Sequence, residues 1–269
     1  EFSPEALRRE RAKLFAAAER LSADILVLLE LENRNRVARD FRRRLARSTG
    51  HSWRLVRARG SPSGVIRIAM IYRSDRIRQV GSAVRDGRGV HDRPPLVASF
   101  RPRHGGSPFA VAGAHFKSKS DCPDGADAEA NCWNRRRVRQ ARALAGFLRE
   151  YRRKRGIDSI LITGDLNAYG AEEPVGVLDG AGWRDLIASR LPWRKRSTYV
   201  YDGESGYLDH LLARPELASR VDRVSIHAIN AEEPPFLEYD RGGPGGRHLS
   251  DGPFRCSDHD PVAVDIAPR

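Results

Sequence analysis

Residues 160–163, Ile-Leu-Ile-Thr, are apolar and β-branched enough to form a strand buried on both faces, yet the run stops abruptly at Gly164, Asp165 and Asn167. A strand of this kind has to lie inside a sheet that is covered by further layers. The chain is therefore committed to a layered core with polar side chains at its edge. A strand end is a good place for them, because the sheet fixes the backbone while the side chains reach solvent.

Four other stretches end in the same way. Glu30 closes DILVLLE, His115 closes FAVAGAH, Asp209 and His210 interrupt GYLDHLLA, and Asp258 and His259 lead into the apolar-alternating DPVAVDI. A lone Asp after a strand usually satisfies local backbone donors, and a lone His is usually structural. Carboxylates, an amide and histidines gathered at several strand ends form a chemical set. A phosphodiester gains negative charge as an oxygen attacks it. Its hydrolysis needs a hard divalent cation on carboxylate oxygens, donors on the phosphoryl oxygens and a base for water.

Charge points to the same substrates. The 269 residues carry 48 Lys and Arg against 35 Asp and Glu, a net charge of +13, which favours polyanionic partners. Arginine-rich coding is an alternative source of such an excess, so position matters more than the total. Lys117 and Lys119, in HFKSKS, directly follow His115. No stretch reaches the roughly 18 to 20 apolar residues of a membrane span, and no secretion signal is visible, so the chain reads as soluble.

The pattern along the chain is mixed α/β. Ser3 and Pro4 signal a helix start, DILVLLE a strand, and RNRVARDFRRRLARS an amphipathic helix with a solvated arginine face. WRLVRA, VIRIAMIYR, LVASFR and FAVAGAHF read as one largely antiparallel sheet. NRRRVRQARALAGFLREYRRKRG is a long helix stopped by Gly156, and EEPVGVLDGAG a short one. VDRVSIHAI and DPVAVDI are strands, and the Pro- and Gly-rich segment 230–256 between them is a long surface loop. Cys122 and Cys132 flank a short polar loop and could bridge, which suits an oxidising compartment; two free surface thiols are the alternative, and Cys256 is left over.

The ordered blocks VLLELEN, RPPLVASF, HFKSKS, GDLNAYG, GYLDHLLA and CSDHDPVAVDI resemble the endonuclease/exonuclease/phosphatase family. The similarity is nearest its bacterial extracellular nuclease branch, which is related to deoxyribonuclease I. The resemblance implies one catalytic domain over 1–269, a four-layer α/β sandwich of two packed, mostly antiparallel sheets flanked by helices. It implies a secreted (extracellular or periplasmic), monomeric, Mg²⁺-dependent nuclease of low sequence specificity acting on DNA or RNA, with Mn²⁺ or Ca²⁺ as alternative ions. A phosphatase or sphingomyelinase-like phosphoesterase, or a non-catalytic nucleic-acid-binding module, are the competing readings.

Carried over by position, the resemblance implies that Glu30 and Asp258 bind metal. Tyr72 and Arg93 match positions that contact the phosphate backbone, with Lys117 and Lys119 beside them. His115, Asp165, Asn167, Asp209 and His259 match the catalytic set. Asp209 is expected to orient His259, and Asn167 to offer a neutral donor to the phosphoryl oxygen. One departure stands out: the family's first strand, which carries an active-site Asn, has no counterpart before the Ser3–Pro4 helix.

Overall fold

The structure is a computed structural model that describes residues 3–58, 64–122, 131–240 and 249–268. Parts of the Cys122–Cys132 loop (123–130) and of the long 230–256 loop (241–248) lie outside the described residues.

Three strands, β1 (Ile25–Glu32), β2 (Trp53–Leu55) and β3 (Ile66–Arg73), form an antiparallel sheet in the order β1-β3-β2. Two helices belong to this side. In α1 (Pro4–Leu21), the Ser3 hydroxyl caps the Ala6 N–H and Pro4 occupies the first turn, where its missing N–H is no loss. In α2 (Asn35–Thr49), Leu45 is buried and Arg43 and Arg44 share Asp40 on the outer face.

The larger sheet has six strands in the order β4-β5-β6-β7-β11-β8. They are β4 (Ile77–Arg85), β5 (Leu96–Pro102), β6 (Phe109–His115), β7 (Ile160–Asp165), β8 (Arg184–Asp185) and β11 (Asp209–Ala213). β6 and β7 run parallel, which requires a crossover. Helix α3 (Asn134–Arg155) supplies it, ending on Gly156 at φ +62°. Helix α4 (Glu173–Gly180) packs beside it. Two short helices, α5 (Leu186–Arg190) and α6 (Pro215–Ala218), and two hairpins complete the chain: β9 (Tyr199–Tyr201) with β10 (Glu204–Gly206), and β12 (Val221–Ile226) with β13 (Val262–Ile266).

Three apolar clusters define the layers. One joins Leu26, Trp53 and Ile71 of the smaller sheet to Ala18 and Leu45 of the first two helices. A second lies between the sheets, with Ile68 and Met70 from β3 facing Phe100, Val111, Leu161 and Leu211, and with Val224 of β12 on the same core. The third joins Ala112, Ile160 and Ile162 to Ala141, Leu144 and Leu148 of α3. Alternation decides the last two: successive residues of β6 and β7 point to opposite faces, so these strands are buried on both sides. The result is helix, sheet, sheet, helix.

The structure departs from the sequence reading at two places. The β-rich region from Trp53 to His115 is divided between the two sheets rather than forming one. Strand β4 was not anticipated. Its alternation is broken where the register slips between Val80 and Val84, around Gly81 at φ +68°. As the sequence reading expected, no strand precedes α1 among the described residues, where the layer over the inter-sheet core is in two pieces, β1-β3-β2 and β12-β13, with no ladder between them. Cys122 and Cys132 are disulfide-bonded and Cys256 is free. No helix among the described residues is long and apolar enough to cross a membrane.

Candidate active site

Register builds the site. His115, the last residue of β6, lies opposite Asp165, the last residue of β7, and Asp165 lies opposite Asp209, the first residue of β11. Residues opposite one another on neighbouring strands share a face. The three side chains therefore form one row at the open end of the sheet, on the side facing the inter-sheet core. Gly164 makes this row possible. Its φ is +135°, and a Cβ there would sit 2.0 Å from the Ala114 carbonyl oxygen, so only glycine lets β7 deliver Asp165 this close to β6.

His259 reaches the row from the segment before β13, with Nδ1 2.7 Å from Asp209 Oδ2. Its ring lies 4.6 Å from that of Tyr199, and its backbone is pinned by Asn230, whose Nδ2 donates to the His259 carbonyl at 2.7 Å. The next residue, Asp260, is buried and accepts the N–H groups of Ile229, Asn230 and Ala231. Thr198 is buried too, and its hydroxyl accepts the N–H groups of Leu208 and Asp209. Thr198, Tyr199, Asn230 and Asp260 were not picked out from the sequence. Nothing local marks a residue that supports another from a distant segment.

Glu30 comes from the other sheet. Between Leu28 and Leu31 the β1–β3 register slips, and Glu30 adopts φ +52°. Such a bulge re-aims a side chain, and here the carboxylate points at His115, Oε1 to Nε2 3.7 Å, while remaining 70% exposed. Asn167 is a second non-glycine residue at positive φ, +47°. Its backbone N–H and Nδ2 donate to the two Asp165 oxygens, each at 2.7 Å, and Nδ2 also reaches the Phe116 carbonyl. The amide is thus spent on Asp165. In this arrangement Asn167 orients the Asp165 carboxylate.

Burial and the Asp209 charge push the Asp165 carboxyl up to about 7, against the pull of His259 and the Asn167 N–H. Burial acts to discharge the His259 ring, but its hydrogen bond to Asp209 and the charges of Asp209, Asp165 and Asp258 prevail and raise it to about 9. His115 is held down at about 3 by burial, aided by Arg93 and His259. At neutral pH the site then contains a cationic His259, a neutral His115 and an Asp165 near its midpoint. Perturbation in opposite directions is the pattern of acid–base groups.

The remaining expected residues divide. Arg93 is at the site: it donates to the Phe116 carbonyl and feels the charges of Glu30 and Asp165. Asp258 lies exposed at the rim beside His259. Lys117 Nζ is turned onto Ser118, Ser120 and the Trp133 ring, and Lys119 is ion-paired to Glu172 over the Tyr169 ring. Lys117 thus holds its own loop, and Lys119 ties that loop to the segment before α4. Tyr72 is not brought to the site. It is buried against Phe100, opposite Ile25 at the far end of the β1–β3 ladder.

The donor set fits a hard cation. Glu30 presents an exposed carboxylate whose basic neighbour, among the described residues, is the neutral His115 ring at 3.7 Å. Among the described residues no three His, Cys, Asp or Glu side chains enclose a metal. The fit is that of an ion held by one or two carboxylates and otherwise by water and phosphate, as Mg²⁺ commonly is.

A carboxylate row with a carboxylate-paired histidine, at the open end of two packed sheets, is the equipment of a phosphoester hydrolase. The chain belongs to the endonuclease/exonuclease/phosphatase family, whose sequence profile matches residues 2–259. Members of this family are hydrolytic phosphoesterases and generally use divalent metal ions. Similar solved structures include the mannosyl-6-phosphatase Bt3783 of Bacteroides thetaiotaomicron VPI-5482, at 15% identity and TM-score 0.63, covering 99% of this chain and 95% of that one. D. rerio TDP2 complexed with single strand DNA product has 15% identity and TM-score 0.63, covering 97% and 92%. The human Nocturnin catalytic domain with bound sulfate anion has 17% identity and TM-score 0.52, covering 83% and 80%. A search of curated protein sequences finds no match to the chain.

Proposed function

We propose that the protein is a divalent-cation-dependent phosphodiesterase that cleaves nucleic acid, DNA foremost and RNA second, with low sequence specificity. The observation that carries this reading is the row of His115, Asp165 and Asp209 with His259 seated on Asp209, set in a chain of net charge +13. The fold also serves a sugar phosphatase and a protein crystallised with a DNA product, so the charge decides between substrates. A polyanion gains from it through counterion release, whereas a monophosphate gains little.

In the proposed reaction Asp165, oriented by Asn167, accepts the proton of the attacking water. As the water oxygen bonds to phosphorus the bond to one sugar oxygen breaks, and His259, cationic and fixed by Asp209, gives its proton to that leaving oxygen. His115, neutral and buried, donates a second hydrogen bond as charge builds. Arg93 supplies positive charge beside Asp165 and Glu30. Glu30, with Asp258 from the rim, would hold the cation, whose contribution is to neutralise phosphoryl charge. The disulfide supports an oxidising, extracellular or periplasmic setting.

The test is plasmid digestion with Mg²⁺ or Mn²⁺, with and without chelator. Digestion is expected to need the ion. Asp165→Ala combined with His259→Ala is expected to lower the rate by about 10²-fold or more. Undiminished cleavage in chelator, or by the double variant, defeats the proposal.

A further inference from the structure

The long helix α3 carries nine arginines and one lysine against one glutamate, Glu150. Five arginines fall on a single line. Arg135, Arg139, Arg142, Gly146, Arg149 and Arg153 follow one another at steps of four and three residues, which keeps them on one stripe of a 3.6-residue helix. The missing rung is a glycine, Gly146, that lies under another arginine. A Cβ at Gly146 would only touch the end of the Arg88 side chain, at 3.4 Å from Nη1. Arg88 crosses over Gly146, donates to the Ala143 carbonyl and pairs with Glu150 at 3.1 Å. The gap in the arginine line is thus filled by an arginine from the loop after β4.

Arg139, Arg142, Arg149 and Arg153 have no ion-pair partner among the described residues, unlike Arg43 and Arg44 of α2, which share Asp40. Like charges at this spacing repel, each pair by a few tenths of a kcal/mol. The arrangement therefore weakens the free helix and is relieved by a polyanion. Beside the line, Arg142, Arg149, Arg152 and Arg214 surround a cleft of about 540 Å³ floored by Leu148 and Trp183. Its lining includes none of the residues of the catalytic row.

The other end of the line adjoins that row. Arg136 pairs with Asp92, the neighbour of Arg93, and Gln140 accepts the Lys117 N–H at 2.9 Å. From Arg135 to Arg153 the line runs about 27 Å at 1.5 Å per residue. That is about eight phosphate spacings of one B-form strand at 3.4 Å each.

We infer that the α3 arginine line is a second, non-catalytic track for the sugar–phosphate backbone, holding a single strand that leaves the catalytic row. The inference rests on the nucleic-acid reading of that row and gives it a length dependence: strands long enough to reach the track bind better than strands that fill the active site alone.

The test uses the whole protein in chelator, so that binding is read without cleavage. Fluorescence anisotropy follows a long (about 40-nucleotide) and a short (about 6-nucleotide) single-stranded DNA against salt. The triple variant Arg139→Ala, Arg142→Ala, Arg149→Ala is expected to bind the long strand about tenfold or more weakly. Its salt slope should be shallower by about 2, at roughly 0.7 per lost phosphate contact. Short-strand affinity, and metal-supported turnover of bis(p-nitrophenyl) phosphate, are expected to be unchanged. The corresponding triple Lys variant, which keeps the charges, should retain most of the long-strand affinity. Long-strand affinity and slope equal to wild type in the Ala variant overturn the track. The two readings fail separately: DNA cleavage with arginine-independent binding removes the track alone. Arginine-dependent binding without cleavage in any metal removes the nuclease function alone.

Discussion

Asp209 sits between two groups that it drives in opposite directions: it repels the charge of Asp165 and holds the charge of His259. The sign of the second effect is testable in metal-free protein. A folded-state value raised to about 9 means that the protonated ring favours the fold. That stability is complete below the unfolded value of about 6.5 and is lost as pH rises through about 9. Asp209→Asn is therefore expected to move the His259 titration, read by histidine proton NMR, down toward 6.5. It should also remove on the order of 2 kcal/mol of stability at pH near 6 but little above pH near 9. Identical titrations in the two proteins would dismiss the pair as the cause. Gly164→Ala tests the row itself. With a Cβ 2.0 Å from the Ala114 carbonyl oxygen, urea denaturation should show a loss on the order of 3 kcal/mol or more. At this scale the sequence located the strand-end residues, because a core strand that stops on polar groups is visible in one dimension. It could not place Tyr72, whose burial against Phe100 depends on which sheet β3 joins. Nor could it show that the Asn167 amide turns inward onto Asp165.

Elements were legible where one period ran unbroken. The helices α1, α2, α3 and α4 and the strands β6, β7 and β12 follow from their spacing and caps. Strand β4 was hidden by the register slip around Gly81, and the division of residues 53–115 between two sheets is a long-range choice that no local pattern encodes. The disulfide acts at this scale. It closes the loop after HFKSKS, where Trp133 Nε1 donates to the carbonyls of Ser120 and Asp121 and the Trp133 ring carries Lys117. Replacing both Cys122 and Cys132 by Ser is expected to lower stability by about 2 to 3 kcal/mol in the chain-entropy account. For a chain of this size that is a fall in Tm of about 5 to 10 °C. Calorimetry of the double variant checks it, and an unchanged Tm would mean that the loop is fixed by its hydrogen bonds alone.

The whole molecule sets the substrate. One fold holds the catalytic row at the open end of the inter-sheet core, and the surrounding chain adds a field of +13 that extends well beyond any contact. Such a field discriminates by the number of charges a substrate presents. A DNA duplex that neutralises several basic side chains releases as many counterions, so its kcat/KM should fall steeply as salt rises from about 50 to about 200 mM, by at least tenfold for only a few contacts. A sugar monophosphate releases few and should lose only a few-fold over the same range. Measuring both substrates across one salt series therefore separates the nuclease from the sugar-phosphatase reading without any variant. Faster turnover of the monoester, with DNA cleavage indifferent to salt, would transfer the assignment to the phosphatase, because the long-range charge would then have no part in selecting what reaches Asp165 and His259.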